Sequence, residues 1–102
     1  MKDYTQAEVL QSLLNITKKS RKRILVDQRS YLISILAFKF KLTEYQITDL
    51  TGINRNTIHY NKCLSVTLCK DSQYMENVYT LSQRYPFDHS GIVTRKNNYF
   101  KL

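Results

Sequence analysis

Apolar residues recur at helical intervals through most of the chain. Val9, Leu10, Leu13 and Leu14 form a first stripe. Thr5 and Glu8 ahead of it have the spacing of a capping box, so the pattern predicts a helix over residues 5–15. The run at residues 18–23 breaks the pattern and reads as a loop or frayed turn. A second helix is expected from Asp27, a fair N-cap, to about Lys41. Its apolar residues Tyr31, Leu32, Ile33, Ile35, Leu36, Ala37, Phe38 and Phe40 cover most of the circumference, as in a central helix packed on several sides. Ile and Phe also suit strands, but the run is too long for an ordinary strand and holds no turn residue.

A third helix is expected over residues 43–51, with Thr43 and Gln46 as capping box and Ile47 and Leu50 as its buried pair. Gly52 supplies a left-handed turn. Asn54 caps a fourth helix running through Ile58 and Leu64 to about Cys69. A last helix over residues 71–84 is capped by Asp71, carries Tyr74, Met75, Val78, Tyr79 and Leu81, and is stopped by Pro86. Beyond it the periodicity fades, and residues 86–102 read as a small hairpin or a loosely held tail. The expected architecture is all-α: a compact bundle of about five helices over residues 1–85, followed by that segment.

Composition narrows the function. With 102 residues the chain suits one domain and is too short for a nucleotide-hydrolysing domain, a (β/α)₈ barrel or a doubly wound fold beside it. No run approaches about 18 apolar residues, and the first residues lack the apolar stretch of a secretory signal. Cys63 and Cys69 have no zinc-ligand spacing and read as small, reduced core or half-buried residues. A cytoplasmic, nucleoid-associated protein of a bacterial or phage-infected cell is expected, with no membrane partner, metal, cofactor or small-molecule ligand. The net charge of +8 is concentrated. Residues 18–41 hold eight of the sixteen bases and one of the eight acids, which accounts for +7. Such a stretch suits an anionic polymer or surface.

The segment TEYQITDLTGINRNTI, residues 43–58, fits a helix-turn-helix extending to about residue 68. Thr48 stands where the helices must approach, Gly52 makes the turn, Ile53 plugs the corner and Ile58 anchors the second helix. Arg55, Asn56, His59, Tyr60 and Lys62 then face outward, where a recognition helix in a major groove meets base edges and phosphates. Arg can bond guanine, and Asn adenine, through paired hydrogen bonds. A plain antiparallel helix pair is the competing explanation. Agreement at several constrained positions, with a polar and basic outer face, favours the DNA-binding motif. Asn61 departs from it: its inward position calls for an apolar side chain, so the helix bends there or Asn61 makes a buried hydrogen bond.

A basic loop, a long apolar helix opening with Gln28-Arg29, a helix-turn-helix and one more helix follow in order. This order resembles the C-terminal DNA-binding domain (domain IV) of the bacterial replication initiator DnaA, a fold shared in outline with the Trp repressor. The resemblance covers roughly residues 10–85. It implies that Lys19, Arg21, Lys22, Arg23 and Arg29 grip phosphates. The family's recognition helix begins Arg-Asp-His-Thr-Thr-Val; here residues 53–58 read INRNTI, so only Thr57 and Ile58 match and the family's base preference does not carry over. Gln28 stands where the family has proline before the arginine. The resemblance fits a stand-alone relative without the ATPase domain, of the kind expected in phages or mobile elements, acting in replication initiation or transcription control.

The expected function is sequence-specific binding of double-stranded DNA. Arg55, Asn56 and His59 are the candidates for base contacts, Thr57, Tyr60 and Lys62 for bases or backbone, and Lys19, Arg21, Lys22, Arg23 and Arg29 for phosphates. A homodimer and clustered binding on adjacent sites both stay open. A structural or adaptor protein that docks its basic loop on an acidic partner is the alternative, because eight tyrosines could furnish a contact surface. RNA ranks third, since the tyrosines are scattered along helices instead of lined up on a sheet. An enzyme is not expected. There is no Gly-rich phosphate loop, the histidines lack a nucleophile partner, and Glu44 and Asp49 read as solvent-facing.

Overall fold

The structure, a computed structural model, describes residues 3–16 and 22–87. It is all-α. The described residues form helices α1 (Gln6–Asn15), α2 (Arg23–Ser34), α3 (Glu44–Thr51), α4 (Arg55–Leu68), α5 (Ser72–Asn77) and α6 (Tyr79–Arg84), with a π-helical segment (Ile35–Lys39) continuing α2. No strand occurs among them. The basic residues Lys19 and Arg21, and the hairpin or tail expected beyond Phe87, lie outside the described residues.

α2 is the central element. Every residue from Ser30 to Leu36 is buried, and the broadest helix contact is α2 against α4, with α1 and α5 packed on its other sides. This is what an almost all-round apolar helix must do to leave water. The core joins Leu32, Ile33, Ile35 and Leu36 to Val9 and Leu13 of α1, Ile47 of α3, Ile58 of α4, and Tyr74 and Val78 at the C-terminal end. Ser30, Ser34 and Ser65 are fully buried as well. Each hydroxyl bonds the carbonyl three residues back (Asp27, Tyr31 and Lys62), so these small residues leave no unpaired oxygen in the core.

Helix α2 starts four residues earlier than expected, at Arg23, with Lys22 at the N-cap making no side-chain cap bond. Asp27 is therefore not a cap. It lies inside the helix, 1% exposed, where its Oδ2 accepts from Arg23 Nε at 3.0 Å and from Asn77 Nδ2 at 2.9 Å. Arg23 also reaches Asp71 at 3.3 Å, and Gln28 Nε2 donates to the Asn77 carbonyl at 3.1 Å. These bonds fasten α5 to the start of α2. They also bear on the last helix, expected to be continuous and observed as two. The chain leaves helical geometry at Val78 (φ −103°, ψ 9°), directly after the carbonyl that Gln28 takes. Met75 and Tyr79, read as part of that helix's apolar set, are exposed, whereas Tyr74 and Val78 are buried.

Four of the seven described tyrosines are buried, and each hydroxyl is bonded: Tyr4 to the Pro86 carbonyl, Tyr31 to the Tyr85 carbonyl, Tyr74 with Ser30, and Tyr85 with Ser12. Burial pushes the Tyr31 and Tyr74 hydroxyls well above the ordinary phenol range, so they stay protonated and can donate. Tyr4, Tyr31 and Tyr85 tie the end of α6 to α1 and α2.

The other expected caps hold. Thr5 with Glu8, and Thr43 with Gln46, form full capping boxes. Asp71 caps α5 through the Tyr74 amide. Cys63 is buried, Cys69 half-buried, and both are free thiols. No described helix is long and apolar enough to cross a membrane.

Candidate nucleic-acid interface

α3 and α4 are joined by residues 52–54, and local chemistry fixes the turn. Gly52 takes φ +79°, which side-chain-bearing residues rarely adopt, and its N–H bonds the Thr48 carbonyl at 2.8 Å. Thr51 Oγ1 receives the Ile53 N–H at 3.1 Å while donating to the Ile47 carbonyl at 2.7 Å. Asn54 Oδ1 then accepts the Asn56 N–H at 2.7 Å and starts α4. Ile47 and Ile58 are fully buried on the facing sides, and Ile53 is half-buried against the same core. Leu50, expected as Ile47's buried partner, is 45% exposed. α3 packs chiefly on α4 and the π-helical segment, a narrow contact that takes Ile47 whole and leaves Leu50 at its edge.

Asn61 resolves one expectation. It is buried, α4 runs through it unbroken, and its Nδ2 donates to the Thr57 carbonyl at 2.8 Å. The buried hydrogen bond, not a bend, accommodates it. Its Oδ1 and the hydroxyl of Thr48 are enclosed with no protein partner among the described residues.

The candidate residues on α4 fall into groups. Asn56 and Tyr60 are exposed on the side away from Ile58 and Asn61, and Thr57 is exposed on the flank next to Asn61. Arg55, His59 and Lys62 form a stripe at positions i, i+4 and i+7 that turns toward the start of α3. All three meet one carboxylate, Glu44. Arg55 Nη1 lies 3.4 Å from its Oε1; His59 Nδ1 and Lys62 Nζ lie 2.8 and 3.3 Å from its Oε2. Lys62, expected to face outward, is only 15% exposed in its side chain, with Nζ also 5.6 Å from the centre of the Phe38 ring. Arg55 stacks its guanidinium 4.9 Å from the Tyr45 ring centre. His59 Nε2 stands 3.5 Å from Cys63 Sγ, so both ring nitrogens face protein partners.

Glu44 is therefore not a solvent-facing residue of α3. Its side chain is 17% exposed and is the centre of the cluster. Burial pushes its carboxyl up, but the hydrogen bonds and charges of His59 and Lys62 outweigh this and hold it below the ordinary carboxylate value. Cys63 beside it is pushed up, first by burial and then by the Glu44 charge, against the opposing effect of Lys62. The Cys63 thiol thus stays protonated near neutral pH.

Of the phosphate candidates, Lys22 and Arg23 are exposed and Arg29 half-buried, all on the first turns of α2 or its cap. Arg23 keeps half its side chain in solvent while bonded to Asp27 and Asp71. Glu44 and Tyr45 were missed by sequence reasoning. The stripe of Arg55, His59 and Lys62 was visible in the spacing, but which α3 side chain meets it depends on how the two helices cross. Among the described residues no three His, Cys, Asp or Glu side chains come together as a metal site would need.

No family model, curated protein or solved structure matches the chain.

Proposed function

We propose that the chain binds double-stranded DNA through the exposed face of α4, acting as a helix-turn-helix reader in replication initiation or transcription control. The observation that carries this is the division of α4. One side is locked into the core by Ile58, Asn61 and Ser65, while the opposite side of its first two turns presents Asn56 and Tyr60 to solvent, with Arg55 and His59 exposed on one flank and Thr57 on the other. Entry through a tight glycine turn and an asparagine cap puts these groups at the start of the helix, the end that meets base edges in this class of reader. Asn56 and Arg55 bring hydrogen-bonding groups suited to adenine and guanine. Lys22, Arg23, Arg29 and the neighbouring basic residues Lys19 and Arg21 supply sequence-blind attraction to phosphates. The order of elements fits a stand-alone domain like domain IV of DnaA. The adaptor alternative has less to draw on, since most of the described tyrosines are occupied inside the fold.

The test is selection from a random duplex pool at two salt concentrations, with wild type and an Arg55→Ala/Asn56→Ala variant. Wild type should enrich a defined site. With about five phosphates neutralised, the log–log salt slope should be near −4 to −5. The variant should lose discrimination between selected and random duplex while keeping much of the weak binding. If random-duplex binding falls equally, these two residues do not read bases. If no duplex is bound even at low salt, DNA binding is wrong and the adaptor alternative takes its place.

A further inference from the structure

We infer that Glu44 sets the discrimination of this interface by holding Arg55, His59 and Lys62 back from phosphates, an inference that rests on DNA binding by α4. The cluster puts one carboxylate in contact with three basic side chains along one stripe of the helix. Local structure does not require an acid at this position. The capping of α3 is made by the box of Thr43 and Gln46, in which the Thr43 and Gln46 amides bond at 2.8 and 3.1 Å without help from the Glu44 side chain. A carboxylate is also the group least suited to a surface that meets a polyanion, because it repels phosphates and neutralises a neighbouring cation.

What the carboxylate gives in return is selectivity. Phosphate attraction is the same for every sequence and depends on how many cations are available to displace counterions. Base-edge hydrogen bonds depend on sequence and on side-chain orientation. Glu44 acts on both terms. It satisfies the charge of the stripe internally, which lowers affinity for any duplex. It also holds the Arg55 guanidinium between its Oε1 and the Tyr45 ring, which narrows the orientations open to the fork. The His59 ring is fixed in the same way between Glu44 and Cys63. Random duplex thus gains little from the stripe, whereas a matched site still draws on Asn56 and an oriented Arg55.

The test compares wild type, Glu44→Gln and Glu44→Asp on a random duplex and on the duplex selected by wild type, across a salt series. Glu44→Gln should raise random-duplex affinity on the order of tenfold at low salt and steepen the salt slope by about one unit, and the ratio of selected to random binding should fall. Glu44→Asp keeps the charge and should retain the wild-type slope. Gln46→Ala, which disturbs the same helix end without changing charge, separates loss of structure from loss of charge: it should leave the slope unaltered. If wild type selects a site but Glu44→Gln leaves random-duplex affinity and slope unchanged, the role of Glu44 falls and DNA binding stands. If Gln46→Ala moves the slope as much as Glu44→Gln does, the effect is structural and the role of Glu44 falls as well. If wild type binds no duplex, the reading of α4 falls first and takes this inference with it.

Discussion

Asp27 and Glu44 each gather partners that include side chains of a neighbouring helix, yet they differ in how deeply they are buried. Asp27 is sealed between α2 and α5, where Arg23 and Asn77 complete its hydrogen bonds and Gln28 holds the next carbonyl. Glu44 sits at the rim, and two of its three basic partners, Arg55 and His59, remain about half exposed. In a sealed site an unpaired polar group is expensive, so the buried Asp27 carboxylate needs its partners and the arrangement serves the fold. At the rim water can replace a lost partner, so stability depends little on Glu44 and its charge is available to act on a ligand. Burial thus separates a carboxylate that builds the fold from one proposed to tune a surface.

Substitutions should widen this contrast in order of size. Asp27→Ala should lower stability by about 2–3 kcal/mol, less than for a fully enclosed pair because Arg23 can return to water. Denaturant unfolding measures this. Gly52→Ala should cost about 1 kcal/mol. A Cβ there meets nothing within 4 Å, so the loss comes from the left-handed backbone angle alone. Glu44→Gln should change stability by less than about 1 kcal/mol while changing duplex binding far more. A stability loss for Glu44→Gln as large as that for Asp27→Ala would erase the distinction.

The acid limb of the stability curve gives a finer check. The folded Glu44 carboxyl titrates below its ordinary value. Its contribution is therefore present in full above the ordinary carboxylate range and is lost as pH falls through the lowered folded value. Unfolding free energy followed from pH 6 downward, as an acid titration of about 3 units, should fall less steeply for Glu44→Gln than for wild type. The smallest effect is expected at Asn61. Asn61→Leu removes a bond to the Thr57 carbonyl but also an enclosed Oδ1 without a protein partner among the described residues, and these changes should nearly cancel.

The helices that depend on their own residues were legible in the sequence. The boxes of Thr5 with Glu8 and Thr43 with Gln46, the Gly52 turn and the Asn54 cap are local chemistry and fall where the spacing places them. The central position of α2 was legible from its apolar circumference. What was not legible depends on contacts between distant residues. Asp27 resembles a cap until Asn77, fifty residues away, supplies a reason to bury it. The break at Val78 accompanies a bond from Gln28, which no pattern in the last helix contains. Glu44 lies eleven to eighteen residues from its partners and looks solvent-facing until α3 and α4 are brought together. Of the candidate site, the outward positions of Arg55, Asn56, His59 and Tyr60 followed from helical spacing, whereas the inward turn of Lys62 did not.

The most direct test of the account follows backbone amide resonances of the isotope-labelled chain as a duplex enriched from a random pool is added. The largest shifts should fall on Arg55, Asn56, Thr57, His59 and Tyr60 and on residues around Lys22 and Arg29, with the exposed side of α5 and α6 around Met75 and Tyr79 nearly unmoved. Shifts centred on Met75 and Tyr79, or no shifts on α4 under conditions where the duplex is bound, would contradict it.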